Sequence, residues 1–196
     1  MTTDDYYQHH AQQFFDDTVA VDMSAIRGRF MALLPANGMI LDAGCGSGRD
    51  AKAFADAGFK VEAFDASAEL VALASKFSGL PIRHMRFAEI NAQARYGGIW
   101  SCASLLHVSA AKLPDIMTKL TVSLKPDGII YVSFKYGTGE RELNGRRFTD
   151  MDETGLADLV GLVPGLRLKE WWLSQDQRPD RIEQWLNAFL IKPHEF

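Results

Sequence analysis

The chain has 196 residues, enough for one domain with a large apolar core. With 47% hydrophobic and 23% charged residues, it is not a disordered chain, a collagen or a coiled coil. Its net charge of −4 argues against a dedicated nucleic-acid binder. No apolar run reaches the ~20 residues of a membrane span, and two cysteines form no disulfide framework. We therefore expect a single cytoplasmic domain over residues 1–196 that has no membrane partner.

The predicted elements begin with residues 1–35, where apolar residues recur at helical steps and indicate an N-terminal helical addition or lid. From residue 39 onward, strands are predicted at 39–41, 59–64, 82–87, 99–103 and 129–134. Helices are predicted at 50–57, from a Ser67 cap to 77, after a Ser109 cap, and after a cap near Thr149. This alternation predicts an α/β fold, a doubly wound parallel sheet with helices on both faces.

The end of the chain departs from this alternation. Two apolar runs, 166–173 and 184–191, are separated by a gap too short for a crossover helix. Since parallel neighbours need a connection of about a dozen residues or more, these runs should form an antiparallel hairpin.

A glycine-rich loop, Asp42-Ala43-Gly44-Cys45-Gly46-Ser47-Gly48, follows the first predicted strand and precedes a helix. Glycines there allow a tight turn and the close approach of a ligand, and the helix N-terminus favours an anionic group. The loop is not a dinucleotide fingerprint, because Arg49 stands where the last glycine belongs, and it lacks the ending of a P-loop. A purely structural turn remains an alternative.

A second signal is Asp65, which ends the second predicted strand 21 residues after Gly44. An acid at this place can accept hydrogen bonds from both hydroxyls of a ribose. The alternative is a simple acidic residue before the helix that Ser67 caps.

Four segments together resemble the class I S-adenosylmethionine-dependent methyltransferases: 41–48, 61–67, 100–108 and 124–128. They are similar to the small bacterial enzymes of types 11 and 25, and to the tellurite-resistance-related group. The resemblance implies a Rossmann-like sheet of seven strands and S-adenosylmethionine as the cofactor. It does not identify the methyl acceptor.

The resemblance also implies which residues contact the cofactor. Gly44, Gly46 and Gly48 would line the methionine moiety, and Asp42 would orient the loop or meet the amino group through water. Asp65 would bind the ribose and Ala66 would lie beside the adenine. Phe87 would supply a wall or a backbone donor, although the acid expected after the third strand is displaced to Glu89. The remaining expected contacts are Cys45, Ser47, Arg49 and Ala103.

Methyl transfer depends mainly on positioning, and a general base helps only if the acceptor must lose a proton. His107, after the fourth strand, is the candidate for such a base or for a substrate contact beside Leu106; bracing the loop is the alternative. No cluster has metal-ligand spacing, so no metal is expected. Tyr6, Tyr7, Phe14 and Phe15 can close over the site or pack against the core.

Residues 135–148 carry four basic and two acidic side chains. Arg146 and Arg147, with Arg141 and Arg178, favour an anionic acceptor if they face the site, because guanidinium groups match carboxylates and phosphates. A solvated loop is the alternative. The prediction is therefore methyl transfer to a small molecule that is anionic or carries a carbonyl group, with binding of the methionine carboxylate as the alternative role of these arginines. Rival hypotheses are an RNA or protein methyltransferase, a non-catalytic cofactor-binding module and a nicotinamide dehydrogenase.

Overall fold

The computed structural model describes residues 2–178 and 181–194, and this part of the chain contains a seven-stranded sheet and a separate two-stranded hairpin. The strands are β1 (Met39–Ala43), β2 (Lys60–Asp65), β3 (Arg83–His84), β4 (Tyr96–Ser101), β5 (Leu124–Lys135), β6 (Glu140–Leu143), β7 (Arg146–Thr149), β8 (Arg167–Gln175) and β9 (Gln184–Ile191). The helices are α1 (Thr3–His9), α2 (Ala11–Thr18), α3 (Ser24–Ala32), α4 (Arg49–Asp56), α5 (Ala68–Ser78), α6 (Leu113–Ser123) and α7 (Glu153–Gly161).

The large sheet has the order β3-β2-β1-β4-β5-β9-β8. The first five strands are parallel, whereas β9 runs antiparallel to both β5 and β8. This confirms the predicted α/β sheet with a C-terminal antiparallel pair. The strand order reverses on the two sides of β1, and ligands of open α/β sheets bind at the carboxyl ends of the strands at such a reversal.

Apolar side chains cover both faces of the sheet. On one face, Phe30 of α3 and Phe54 of α4 pack on Trp100 of β4. On the other face, buried residues of α6 and α7, including Met117 and Leu156, pack on β4 and β5. Because α3 contributes to this core, only α1 and α2 of the N-terminal segment lie outside it. We call residues 3–18, which form these two helices, the lid.

Two predicted strands have different bounds in the structure. The strand predicted at 82–87 is reduced to β3, because its partner β2 ends at Asp65, opposite His84. Phe87 lies instead in a 3-10 turn, Phe87–Glu89. The strand predicted at 99–103 is shifted to 96–101, because Ala103 has φ +50°, which is incompatible with a strand.

Two predicted helix starts were also wrong. Helix α6 begins at Leu113 rather than after Ser109, and the intervening residues form a turn in which the Ser109 carbonyl accepts two backbone N–H groups. Helix α7 begins at Glu153, where Asp152 caps it, whereas Thr149 belongs to β7. The Ser67 cap of α5 is confirmed, since its side chain accepts the N–H of Leu70.

The basic segment predicted as a loop contains the hairpin β6–β7. Leu143 pairs with Arg146, so that Asn144 and Gly145 form a two-residue turn with φ of 53° and 77°. Asn-Gly is the preferred sequence for such a turn, because both residues need positive φ. The dipeptide Asn144-Gly145 is thus a local signal for a hairpin, and the prediction of a loop for this segment does not take it into account.

Candidate functional site

A cavity of about 630 Å³ lies at the carboxyl ends of β1, β2 and β4. Its floor is the glycine-rich loop with Asp42 and Asp65, and its far wall follows β3 and β4. The lid covers it with Thr3, Asp4, Tyr7, Phe14 and Thr18. The predicted site residues that line the cavity are Asp42, Gly44, Cys45, Gly46, Ser47, Arg49, Asp65, Ala66, Phe87, Ala103, His107 and Arg147.

The three loop glycines have different surroundings, although each has a positive φ of 54° to 76°. A Cβ at Gly44 would lie 2.5 Å from the Ser104 Cβ, so this glycine permits the close approach of the loop after β4. A Cβ at Gly46 would meet the ring of Phe14, which belongs to the lid. Gly48 packs instead against Ala74 of α5 and does not line the cavity, in contrast to its predicted contact with methionine.

Asp65 holds the loop from the end of β2. Its Oδ2 accepts the Gly46 N–H at 2.9 Å, and its Oδ1 accepts the Ser67 N–H at 2.9 Å. Burial raises the pKa of this carboxyl, while the backbone donors oppose the rise. Each carboxylate oxygen has a further lone pair, so Asp65 can hold the loop and still accept ligand hydroxyls.

Asp42 lies buried at the end of β1, and its Oδ2 has no hydrogen-bond partner among the described residues. Burial raises the pKa of Asp42 well above its usual range, and the nearby carboxylate of Asp50 adds to the rise. An unpaired buried carboxylate is costly unless a cation or a donor reaches it. This oxygen therefore marks a place for a positively charged or hydrogen-bond-donating ligand group.

Asp50 differs from Asp42 because its charge is compensated. The guanidinium of Arg49 donates two hydrogen bonds to its carboxylate, of 3.0 and 2.7 Å, and that of Arg27 forms an ion pair with it at 2.7 Å. Although burial raises the pKa of Asp50, these guanidinium groups hold it below its ordinary value. Arg49, the first residue of α4, also donates to the Thr18 carbonyl at 3.2 Å and so connects the lid to this helix.

The opposite end of the cavity is apolar. Phe87 stands edge-on to Phe64 and lies 3.6 Å from the Cβ position at Gly44. Ala66, Leu70 and Met85 complete this region. A flat, weakly polar ring such as a purine fits between such side chains.

His107 contacts the lid and the hairpin at the same time. Its Nδ1 lies 2.7 Å from the Arg147 carbonyl, which can only accept, so Nδ1 carries the proton. Its Nε2 then accepts from the Tyr7 hydroxyl at 2.8 Å. Burial lowers the pKa of His107 to about 4. In this arrangement the imidazole is neutral and both ring nitrogens are occupied, so it cannot take a proton from an acceptor until Tyr7 moves.

The buried imidazole predicts a specific pH dependence of stability. The pKa of His107 is about 4 in the folded protein, against the ordinary 6.5 of an exposed imidazole. As the pH falls below 6.5, the unfolded chain therefore takes up a proton that the folded protein does not. The free energy of unfolding has its full value above pH 6.5 and decreases as the pH falls toward 4. Between pH 7 and 5, wild type should lose up to about 2 kcal/mol of unfolding free energy that a His107→Gln variant retains. Urea unfolding of both proteins at the two pH values measures this. A difference between the proteins that does not change with pH would contradict the assignment.

The other residues predicted to contact the substrate lie in different surroundings. Leu106 is buried in the core and does not line the cavity. Arg147 lines the cavity and pairs with Glu140 at 3.1 Å, whereas Arg146 lies beside it under the lid. Arg141 pairs with Asp150 at 2.6 Å, and Arg178 pairs with Asp176 at 2.6 Å.

The lid is attached by polar contacts around the cavity rim. Asp4 pairs with Arg86 at 2.8 Å, and Gln8 donates to Glu69 at 3.1 Å. Thr3 accepts the Arg147 N–H at 3.0 Å. Together with the bond from Tyr7 to His107, these contacts connect the lid to α5, to the segments after β3 and β4, and to the hairpin. The sequence suggested Tyr7 as a lid residue but gave no signal for its partner 100 positions away.

A second cavity of about 400 Å³ adjoins the first and shares Arg49 and Cys102 with it. Its arginines are paired with carboxylates, for example Arg29 with Glu170 at 2.9 Å. Burial raises the pKa of the Cys102 thiol to about 12 and that of Cys45 well above its ordinary value, so neither is a thiolate nucleophile at neutral pH.

Within residues 2–178 and 181–194, no group of His, Cys, Asp and Glu side chains is arranged to hold a metal ion. The same part of the chain contains no helix with the length and apolar character needed to cross a membrane.

A doubly wound sheet, a glycine loop after β1 and an acid at the end of β2 define a Rossmann-like protein that binds an adenosine-containing ligand. Comparison with protein families agrees, since residues 7–185 match the family described as methyltransferase domain. The chain therefore belongs to the class I S-adenosylmethionine-dependent methyltransferases.

Solved structures show the same fold. The chain is similar to the 1,6-didemethyltoxoflavin-N1-methyltransferase of Burkholderia thailandensis, with a TM-score of 0.77, 22% identity and coverage of 96% of this chain and 85% of the other. It is also similar to magnesium protoporphyrin IX methyltransferase from Synechocystis, with a TM-score of 0.73, 15% identity and coverage of 96% and 97%. A third similar structure is the N-methyltransferase NodS of Bradyrhizobium japonicum, with a TM-score of 0.71, 14% identity and coverage of 95% of this chain and 98% of the other. A comparison with curated proteins gave no significant match.

Proposed function

We propose that this protein transfers the methyl group of S-adenosylmethionine to a small-molecule acceptor that carries an anionic group. The observation that carries the cofactor assignment is the unpaired, buried Oδ2 of Asp42, which lies in the same cavity as Asp65. One carboxylate suits the ammonium of the methionine moiety, and the other suits the ribose hydroxyls.

The remaining residues fit the rest of the cofactor. Gly44 and Gly46 present only backbone to the cavity, and Cys45, Ser47, Arg49 and Ala103 lie around them, so this part of the cavity suits the methionine chain. Ala66 and Phe87 border the apolar region for the adenine. The bound cofactor supplies an electrophilic methyl group on a good leaving group, so the protein has mainly to align the acceptor and exclude water.

A small acceptor is favoured by the lid, because Tyr7 and Phe14 narrow the cavity that an acceptor must enter. Two of the similar structures are named as enzymes for small molecules, and the Burkholderia structure contains bound 1,6-didemethyltoxoflavin. A methyltransferase of RNA or protein would be expected to show a broad basic face, whereas the net charge here is −4.

A non-catalytic binding module would have the same cofactor site. Turnover separates the two functions, since a module would bind the cofactor and yet release no S-adenosylhomocysteine with any acceptor. A screen of small-molecule acceptors for release of S-adenosylhomocysteine is the direct test of methyl transfer.

The cofactor assignment predicts which nucleotides bind. Calorimetry should show binding of S-adenosylmethionine and S-adenosylhomocysteine, and much weaker binding of NAD, because Arg49 occupies the position of the third fingerprint glycine. Tight binding of NAD together with no response to either adenosyl compound would refute the assignment.

A further inference from the structure

One guanidinium near the site differs from its neighbours. Arg141, Arg147 and Arg178 each pair with a carboxylate at 2.6 to 3.1 Å. Arg146 forms no ion pair with any residue in the described parts of the chain, and its Nε is buried without a hydrogen-bond partner. Of these four arginines, Arg146 is thus the one whose charge has no carboxylate partner among the described residues.

Aromatic rings surround this guanidinium. Its carbon lies 4.4 Å from the centroid of the Tyr6 ring, 5.2 Å from that of Phe148 and 5.9 Å from that of Tyr7. Its NH1 reaches the Tyr7 hydroxyl only at 3.5 Å. Cation–π contacts offset part of the cost of desolvating a cation but leave its N–H donor without a hydrogen bond.

We propose that Arg146 binds a carboxylate group of the methyl acceptor, an inference that rests on the proposed function. One monoanion would neutralise the charge of Arg146, and the planar guanidinium matches the planar carboxylate. The acceptor class is therefore a carboxylate-bearing molecule of small size.

Arg146 does not itself line the cavity, but it adjoins the cavity through Tyr7, on the side of His107 rather than on that of Asp42. Arg146 approaches Tyr7, which contacts His107 after β4, whereas Asp42 and Arg49 lie at the ends of β1 and α4. The lid covers the site through Tyr6 and Tyr7, so closure removes water from the ion pair and strengthens it.

The test uses four proteins, namely wild type, Arg146→Gln, Arg146→Lys and Arg141→Gln. Arg141→Gln is the matched control, because it removes the same charge from the same hairpin, from a side chain that already has a carboxylate partner. Each protein is saturated with S-adenosylhomocysteine. Binding of benzoate and 2-naphthoate is then compared with that of benzamide and 2-naphthamide by saturation-transfer NMR and calorimetry.

We expect wild type and Arg141→Gln to bind a carboxylate at least about tenfold more tightly than its amide. Arg146→Gln should lose this preference, and Arg146→Lys should retain only part of it because lysine lacks the planar fork. If Arg146→Gln does not fold, a weaker preference in Arg146→Lys than in wild type supports the same conclusion. The absence of any preference in wild type, or an unchanged preference in both Arg146 variants, would overturn the proposal.

The cofactor affinity of the same proteins distinguishes the remaining outcomes. If Arg146→Gln weakens binding of S-adenosylhomocysteine itself, the arginine serves the cofactor carboxylate, and the acceptor proposal is wrong while the proposed function stands. If wild type does not bind S-adenosylhomocysteine, the proposed function fails.

Discussion

Replacement of Asp65 by alanine is expected to weaken binding of S-adenosylmethionine and S-adenosylhomocysteine by at least about 100-fold. Two charge-assisted hydrogen bonds to the ribose, at about 1.5 kcal/mol or more each, account for this loss. The variant also releases the N–H groups of Gly46 and Ser67, so the loop loses the anchor that orders it. Isothermal titration calorimetry measures the effect directly.

Asp56→Ala is the control for this experiment, because Asp56 is exposed on α4 and pairs only with Lys52 across one helical turn. It should bind both compounds with wild-type affinity. An Asp65→Ala protein with an unchanged dissociation constant would show that the ribose binds elsewhere, and the cofactor assignment of this cavity would have to be abandoned.

Gly46→Val is expected to abolish cofactor binding while leaving most of the stability intact. Its side chain would extend into the cavity, and the atoms that its Cβ would meet belong to the edge of the Phe14 ring, which can move with the lid. The positive φ of 54° adds strain of about 1–2 kcal/mol. Calorimetry for binding and thermal unfolding for stability separate the two effects, and normal affinity would make the loop a structural turn.

Gly48→Val serves as the comparison, because it should lower stability more than Gly46→Val does while adding no side chain to the cavity lining. A Cβ there lies 3.0 to 3.2 Å from backbone and Cβ atoms of Ala74, so α4 and α5 must move apart. The melting temperature should therefore fall by several degrees more than in Gly46→Val. If both variants lose stability equally, Gly46 is also a packing glycine.

The sheet could be predicted from the sequence because each of its signals is local. The alternation of apolar runs with helical patterns shows the strands of the centre, and the short gap before residue 184 shows the antiparallel pair. The length of β3 could not be predicted, because it depends on where the neighbouring β2 ends. The hairpin is an intermediate case, since Asn144-Gly145 indicates it without showing where it points.

The candidate site divides in the same manner. Asp42 and Asp65 can be found from their spacing to the glycines, but whether each carboxylate is satisfied depends on distant backbone groups. Arg146 and Arg147 are adjacent and identical in type, and only tertiary contacts show that Arg147 is paired. The bond from Tyr7 to His107 joins residues 100 positions apart, beyond the reach of any local pattern.

The way in which α1 is held has a consequence for ligand exchange. None of its residues is buried, and its attachments to the rest of the protein are hydrogen bonds, an exposed ion pair and ring contacts. Detaching α1 therefore costs little apolar burial, and a segment of this kind opens by local fluctuation at a free energy far below that of global unfolding. Its amide protons should exchange with solvent long before those of the buried central strands. We expect this fluctuation to uncover the part of the cavity beneath Thr3, Asp4 and Tyr7, whereas Phe14 and Thr18 of α2 stay in place. Ligand exchange on this side would then be no faster than the opening of α1.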